Sequence, residues 1–186
     1  IIVVSGAVGA QAVPFVEDFE NTGPIPSGSD WMIENATGNS WSLSNAAAVS
    51  GSNSMRLINH SGNPNGTVDA FVTPGYNFTN IVNGGMTFQV AFAARSSASS
   101  DQLKVYASSN CGQNWNIRYT KTGLALSTAG ILSAAFTPNG PSQWRLETVN
   151  LNSVSYNYKP SVRFKFEYTQ NTGNNIYIDD INVTGV

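Results

Sequence analysis

An all-β fold, two antiparallel sheets packed as a jelly-roll β-sandwich, is predicted by three features of the sequence. Apolar and polar residues alternate in many short segments, turn-forming residues separate them, and no segment sustains a helical period. Residues 86–94, MTFQVAFAA, place Met86, Phe88, Val90 and Phe92 on one face. Residues 161–169, SVRFKFEYT, place Val162, Phe164, Phe166 and Tyr168 opposite Arg163, Lys165 and Glu167. Both patterns describe antiparallel strands with one buried face.

The other expected strands follow the same logic. They are PFVEDFE (14–20), WMIE (31–34), WSLS (41–44), SMRLIN (54–59), DAFVTP (69–74), QLKVYASS (102–109), WNIRYTK (115–121), WRLETVNL (144–151) and NIYIDDINV (175–183). Clusters of Gly, Asn, Pro and Ser lie between them. A chain of 186 residues can bury one substantial core, so residues 13–186 are read as a single domain. Residues 1–12 permit two readings. Ile1–Val4 and the small residues after them are either a strand and linker trailing a preceding domain or the remnant of a signal peptide ending in Ala10-Gln11-Ala12.

Charge excludes some functions. Only 11% of residues are charged and the net charge is −2, which gives no basic surface for nucleic acid. The apolar N-terminal run is too short to span a bilayer. One cysteine cannot form an internal disulfide, so stability must come from the core, aided by a bound ion. A single His, without H-x-x-x-H or C-x-x-C spacing, cannot assemble a catalytic zinc site.

Cys111 lies in SSNCGQNW, residues 108–115, which fits S-x-[DN]-x-G-x-x-W. This pattern resembles the Asp-box turn of sialidases and of many secreted β domains. The resemblance gives Ser108, Asn110, Gly112 and Trp115 structural roles: Asn110 ties the turn, Gly112 supplies its backbone shape, and Trp115 packs back beneath the hairpin. Cys111 occupies a variable position and is read as a turn thiol. A nucleophilic reading would need His60 beside it, and no motif brings the two together.

Calcium suits the sequence better than zinc, because it accepts carboxylate, amide and carbonyl oxygens from separated loops. Acids cluster in the first and last strands: Glu17, Asp18 and Glu20, then Asp179 and Asp180, with Asp69 between. Strict alternation would put Asp180 on the side of Ile176 and Ile178, where a buried carboxylate needs a cation. The expected ligands of a structural calcium are Asp180, Glu20 and Asp69, then Asp18, Asp179 and Asn53.

The order of VPFVEDFE, SGSNSMRL, DAFVTPGYNFT, SSNCGQNW, WRLETVNL and IYIDDINV resembles the MAM-like jelly-roll modules of secreted Bacteroidetes proteins. Such modules follow the protease domain of cytophagalysin (pappalysin-like) metalloproteases and are similar to the cleaved-adhesin modules of gingipains. The resemblance covers residues 13–186. It implies an exported, often calcium-bearing sandwich without catalysis of its own, in proteins that often use type IX secretion. This chain has no H-E-x-x-H of a protease partner.

Two roles follow. An adhesive or carbohydrate-binding module would present aromatic platforms with polar neighbours, because sugar C–H faces pack on rings while hydroxyls need hydrogen bonds. Trp31, Trp41, Tyr76, Tyr119, Tyr156 and Tyr158 are the expected platforms, with Tyr156 and Tyr158 in SYNYKP the least core-like. A structural or interaction module would instead use an apolar patch against a neighbouring domain.

Overall fold

Each alternating segment forms a strand. The computed structural model describes residues 9–20, 31–35, 38–61, 64–151 and 153–186; the expected strand at Ile1–Val4 lies outside them. The strands are β1 (Phe15–Glu17), β2 (Met32–Asn35), β3 (Ser42–Ser44), β4 (Ser54–Leu57), β5 (Val68–Val72), β6 (Gly85–Phe92), β7 (Gln102–Ser108), β8 (Asn116–Thr122), β9 (Arg145–Asn150), β10 (Arg163–Thr169) and β11 (Ile176–Thr184).

They make two antiparallel sheets. One has the order β3-β4-β11-β6-β9, with β1 also pairing β11, and the other β2-β5-β10-β7-β8. The inward faces meet in an aromatic chain that crosses between the sheets. Trp41 meets Phe71 edge-on at 5.1 Å, Phe71 stacks on Phe166 at 4.6 Å, and Phe166 meets Phe88 edge-on at 5.1 Å. Phe88 then meets Tyr119 at 5.4 Å, so residues of β5, β6, β8 and β10 share one contact path. Stacked and edge-on rings of this kind add to area burial.

The two outward faces differ. Over the six-stranded sheet, the segment between β8 and β9 folds back and buries Phe136 and Trp144 on Tyr177, Ala91 and Ala93. The outward side chains of β7 and β10 on the five-stranded sheet stay half-exposed. At the open edge, Glu147 of β9 accepts hydrogen bonds from Lys121 of β8 at 2.7 Å and from Arg145 at 2.6 Å, tying one sheet to the other.

β11 breaks the expected alternation. Its register against β6 shifts between Asp179 and Asn182, and Asp180 has φ +47°. A bulge adds one residue to one strand, so inward positions change from Ile176 and Ile178 before it to Ile181 and Val183 after it. Asp180 is therefore half-exposed, and Asp179 is the fully buried acid.

Candidate functional site

The bulge coincides with a change of neighbour. β4 pairs Ile176–Ile178 of β11, and β1 pairs Ile181–Val183 along the same edge. Ladder hydrogen bonds are missing between the two, and carboxylates take their place. Asp179 accepts N–H bonds from Val49 at 2.8 Å and Asp180 at 2.8 Å, and Asp180 accepts the Ser50 hydroxyl at 2.6 Å. Glu20 accepts the N–H groups of Ser52 at 2.8 Å and Asn53 at 2.7 Å. Gly51, at φ +60°, leaves room for that carboxylate, and a Cβ there would run into Glu20. Asp18 accepts the Glu20 N–H at 3.2 Å.

Glu20, Asp179 and Asp180 thus all bind the 49–53 segment, and Asp18 bonds the Glu20 N–H. None of these acids has an ion-pair partner among the described residues. Burial pushes Asp179 up to about 6 despite its two N–H bonds, and the charge of Asp180 adds to the rise. Among the described residues no three acid, His or Cys side chains close on one point. An ion here would draw on two carboxylates together with neutral oxygens. Asp69 does not belong to this group. It is buried on β5 of the opposite sheet, on the face of Phe71, and its carbonyl accepts the Trp41 indole N–H at 3.2 Å.

Most of the expected aromatic platforms belong to the core. Trp31, Trp41, Tyr76, Tyr119 and Tyr156 are all buried, and their rings have no open face for a ligand. Ring contacts account for this: Trp31 and Trp41 pack on Phe71, Tyr76 on Phe15 and Phe164, and Tyr119 on Phe88, while Tyr156 lies beneath Arg118 at 4.9 Å. Tyr158 is 65% exposed, at φ +58° in the loop before β10.

A different pair of rings faces outward on the five-stranded sheet. Lys165 of β10 lies 5.1 Å from the ring centre of Tyr106 on β7 and 5.5 Å from that of Trp115. Its ammonium is also 3.5 Å from Glu34 and 3.6 Å from Glu167. The Tyr106 hydroxyl donates to Glu167 at 2.8 Å, and burial followed by that bond pushes the phenol up to about 12. Lys104 completes the array at 3.8 Å from Glu167. Register explains the grouping, because Lys165 pairs Tyr106 and Glu167 pairs Lys104 across the ladder. The alternation of residues 102–109 and 161–169 held this signal, with Tyr106 among the polar positions of its strand.

The Asp-box turn positions Trp115. Ser108 donates to the Asn110 amide oxygen at 2.9 Å, and that oxygen accepts the Asn114 N–H at 3.0 Å. The Ser108 hydroxyl oxygen accepts the Gly112 N–H at 2.9 Å. Gly112 has φ +84°, and Trp115 lies against it so closely that an added Cβ would be 3.3 Å from the ring. Trp115 stays half-exposed beside the sheet face instead of entering the core. Cys111 is exposed in this turn. His60 lies beyond the other end of β7, so the length of the strand, roughly 20 Å, separates thiol and imidazole.

The sequence matches no protein-family model, and no curated protein is significantly similar to it. Solved structures are similar in fold. The K3 cleaved adhesin domain of Lys-gingipain from Porphyromonas gingivalis W83 superposes with a TM-score of 0.64 at 22% identity, covering 92% of this chain and 98% of that domain. The C-terminal family 22 carbohydrate-binding module of Clostridium thermocellum Xyn10B gives 0.52 at 16% identity, covering 92% of each chain. A family 61 carbohydrate-binding module solved with β-1,4-galactotriose gives 0.53 at 10% identity, covering 91% of this chain and 99% of that one. These likenesses show the jelly-roll sandwich. No helix among the described residues is long and apolar enough to cross a membrane.

The turn predicts a contrast between two substitutions. Asn110→Asp keeps both accepted bonds and should change stability by less than about 0.5 kcal/mol. Asn110→Ala removes them and should cost about 1–2 kcal/mol, read from denaturant unfolding. Equal effects would contradict the role given to the side-chain oxygen.

Proposed function

We propose that this chain is a non-catalytic extracellular binding module whose ligand is a carbohydrate laid across the outward face of the five-stranded sheet. The supporting observation is the Lys165 ammonium held between the Tyr106 and Trp115 rings, with Glu34 and Glu167 alongside. Rings accept the C–H faces of sugars, while fixed ammonium and carboxylate groups meet hydroxyls. Glu34 and Glu167 are each held by the Lys165 ammonium, an arrangement suited to fixing ligand hydroxyls. The adhesin and the galactotriose and xylanase modules of like fold support a binding role. In this reading the module is secreted and serves a larger protein, a metalloprotease in the family it resembles, by adhesion or substrate targeting.

The reading includes a structural calcium at the gap in β11. Its donors would be the remaining oxygens of Glu20 and Asp180, assisted by Asp18, the Asn53 amide and turn carbonyls. This all-oxygen set fits a hard cation. The ion would supply positive charge between β1 and β4, where no ion pair to these acids is formed among the described residues.

Affinity electrophoresis on xylan and β-1,4-galactan tests the ligand face. Retention of the wild type, weakened about tenfold or more in Tyr106→Ala and in Trp115→Ala while both variants stay folded, is the expected result. Absence of retention across a broad polysaccharide panel would overturn the carbohydrate reading in favour of a module that positions a neighbouring domain.

Thermal unfolding with calcium and with excess chelator tests the ion. Saturating calcium should raise the midpoint by roughly 5–10 °C, from about 2.7 kcal/mol at a hundredfold excess over Kd. Asp180→Ala should abolish the difference. An unchanged midpoint in metal-free and calcium-loaded samples would leave the N–H bonds alone to satisfy these acids.

A further inference from the structure

A second polar surface lies at one end of the sandwich, away from the sheet face. The connections β4–β5, β6–β7 and β10–β11 enclose a cleft of about 410 Å³ lined by Asn59, His60, Ser61, Asn65, Arg95 and Thr172. It adjoins a hollow of about 480 Å³ that shares Asn65, Arg95 and Thr172 and adds Ser96 and Ser133. Both volumes fall in the range of small-ligand sites, roughly 300–1,000 Å³.

The walls are held before any ligand arrives. The Asn175 amide oxygen accepts the N–H groups of Asn59 at 2.9 Å and His60 at 3.1 Å. That of Asn65 accepts the Thr172 N–H at 2.9 Å, which fixes a residue at φ +62°. His60 Nε2 lies 2.9 Å from the Ser133 carbonyl, and Arg95 donates to the His60 carbonyl at 3.0 Å. Beneath the floor, the buried Asp101 carboxylate accepts from Asn59 at 3.1 Å and from the Asn171 N–H at 2.9 Å. Its second oxygen has no hydrogen-bond partner among the described residues. Gly173 covers that carboxylate and lines the cleft, and a Cβ there would collide with it. Such preorganisation lowers the entropy cost of binding.

The charge inventory is one-sided. Across residues 58–67, 93–101, 123–144 and 170–175, Arg95 is the one permanent cation, and the one acid, Asp101, is sealed below the floor. Apart from Pro64 and Gly173, the rest of the lining is amide, hydroxyl and imidazole. A guanidinium has five N–H donors in a planar fork suited to a carboxylate, and the His60 carbonyl engages one of its nitrogens. Neutral amides and hydroxyls suit ring hydroxyls, and the described lining residues include no Phe, Tyr or Trp on which a nucleobase would stack.

We infer that this cleft binds the acidic unit of a glycan, a uronate or similar carboxylate-bearing sugar, with Arg95 on the carboxylate and Asn65, Ser61 and Thr172 on the hydroxyls. The assignment rests on the chain being a carbohydrate-binding module but not on the five-stranded sheet face. It adds a charge preference that the Tyr106–Lys165–Trp115 array does not explain.

Calorimetric titration with a galacturonate trimer, its neutral galactose counterpart and galactose 6-sulfate tests it. The uronate should bind about tenfold or more tightly than the neutral trimer, with affinity falling as salt is raised. Arg95→Gln should remove that advantage, and Arg95→Lys should restore part of it, because charge returns without the planar fork. Tyr106→Ala/Trp115→Ala should leave it intact. Equal affinity for uronate and neutral trimers, uronate affinity unchanged in a folded Arg95→Gln protein, or equal binding of the sulfate ester would each overturn the assignment. If the sheet-face variant instead abolishes uronate binding, the cleft assignment falls while the module reading stands. If no carbohydrate of any charge binds, both fall.

Discussion

The fold depends on how β11 changes partners. This strand lies between β6 on one side and, on the other, first β4 and then β1. The junction would expose unpaired N–H groups within a covered edge, each costing about 1–3 kcal/mol if buried without a partner. Asp179, Asp180 and Glu20 cover it with accepted bonds from Val49, Asp180, Ser50, Ser52 and Asn53. The bulge that brings the two aspartates there also reverses the strand's facing, so Ile181 and Val183 can reach the core after Ile176 and Ile178. The N- and C-terminal strands are thereby joined through one acidic knot.

With that edge closed, the rest of the sandwich divides its labour by face. The inward faces hold the aromatic chain from Trp41 to Tyr119. The outward face of the six-stranded sheet is covered by Phe136 and Trp144 over Tyr177. The outward face of the five-stranded sheet keeps Tyr106, Lys165 and Glu167 half-exposed and mutually ordered, and the Asp-box hairpin sets Trp115 beside them. A surface with fixed rings and charges binds without first ordering itself, which is why this face, and not the loop tyrosine Tyr158, is the ligand surface proposed above.

The strands were legible because each has one wet and one dry face, as in residues 86–94 and 161–169. The Asp-box turn was legible for a similarly local reason: Ser108, Asn110 and Gly112 bond within seven residues. Five of the six expected aromatic platforms, all but Tyr158, proved to be core residues, because a ring in a polar neighbourhood does not reveal its partners. Tyr156 is buried by a distant Arg118 and Tyr76 by Phe15 and Phe164. Asp69 has the composition of a ligand, yet topology places β5 in the sheet opposite the acidic knot. Asp179 and Asp180 exchanged roles because a bulge leaves no mark in two-residue alternation. Neither the Lys165 array nor the loop-end cleft is contiguous in the chain, so both appear only once the ladders and loops are assembled.

In the proposed binding mode the outward face of the five-stranded sheet, and not a core or loop aromatic, meets the ligand. The most direct measurement is an amide and indole NMR titration of the isotope-labelled chain with neutral xylo- and galacto-oligosaccharides. Concentration-dependent shifts centred on Tyr106, Lys165, Glu167 and the Trp115 indole are expected, with Trp41 and Tyr76 unmoved. Shifts centred instead on the Tyr158 loop, or none with any neutral oligosaccharide, would contradict it.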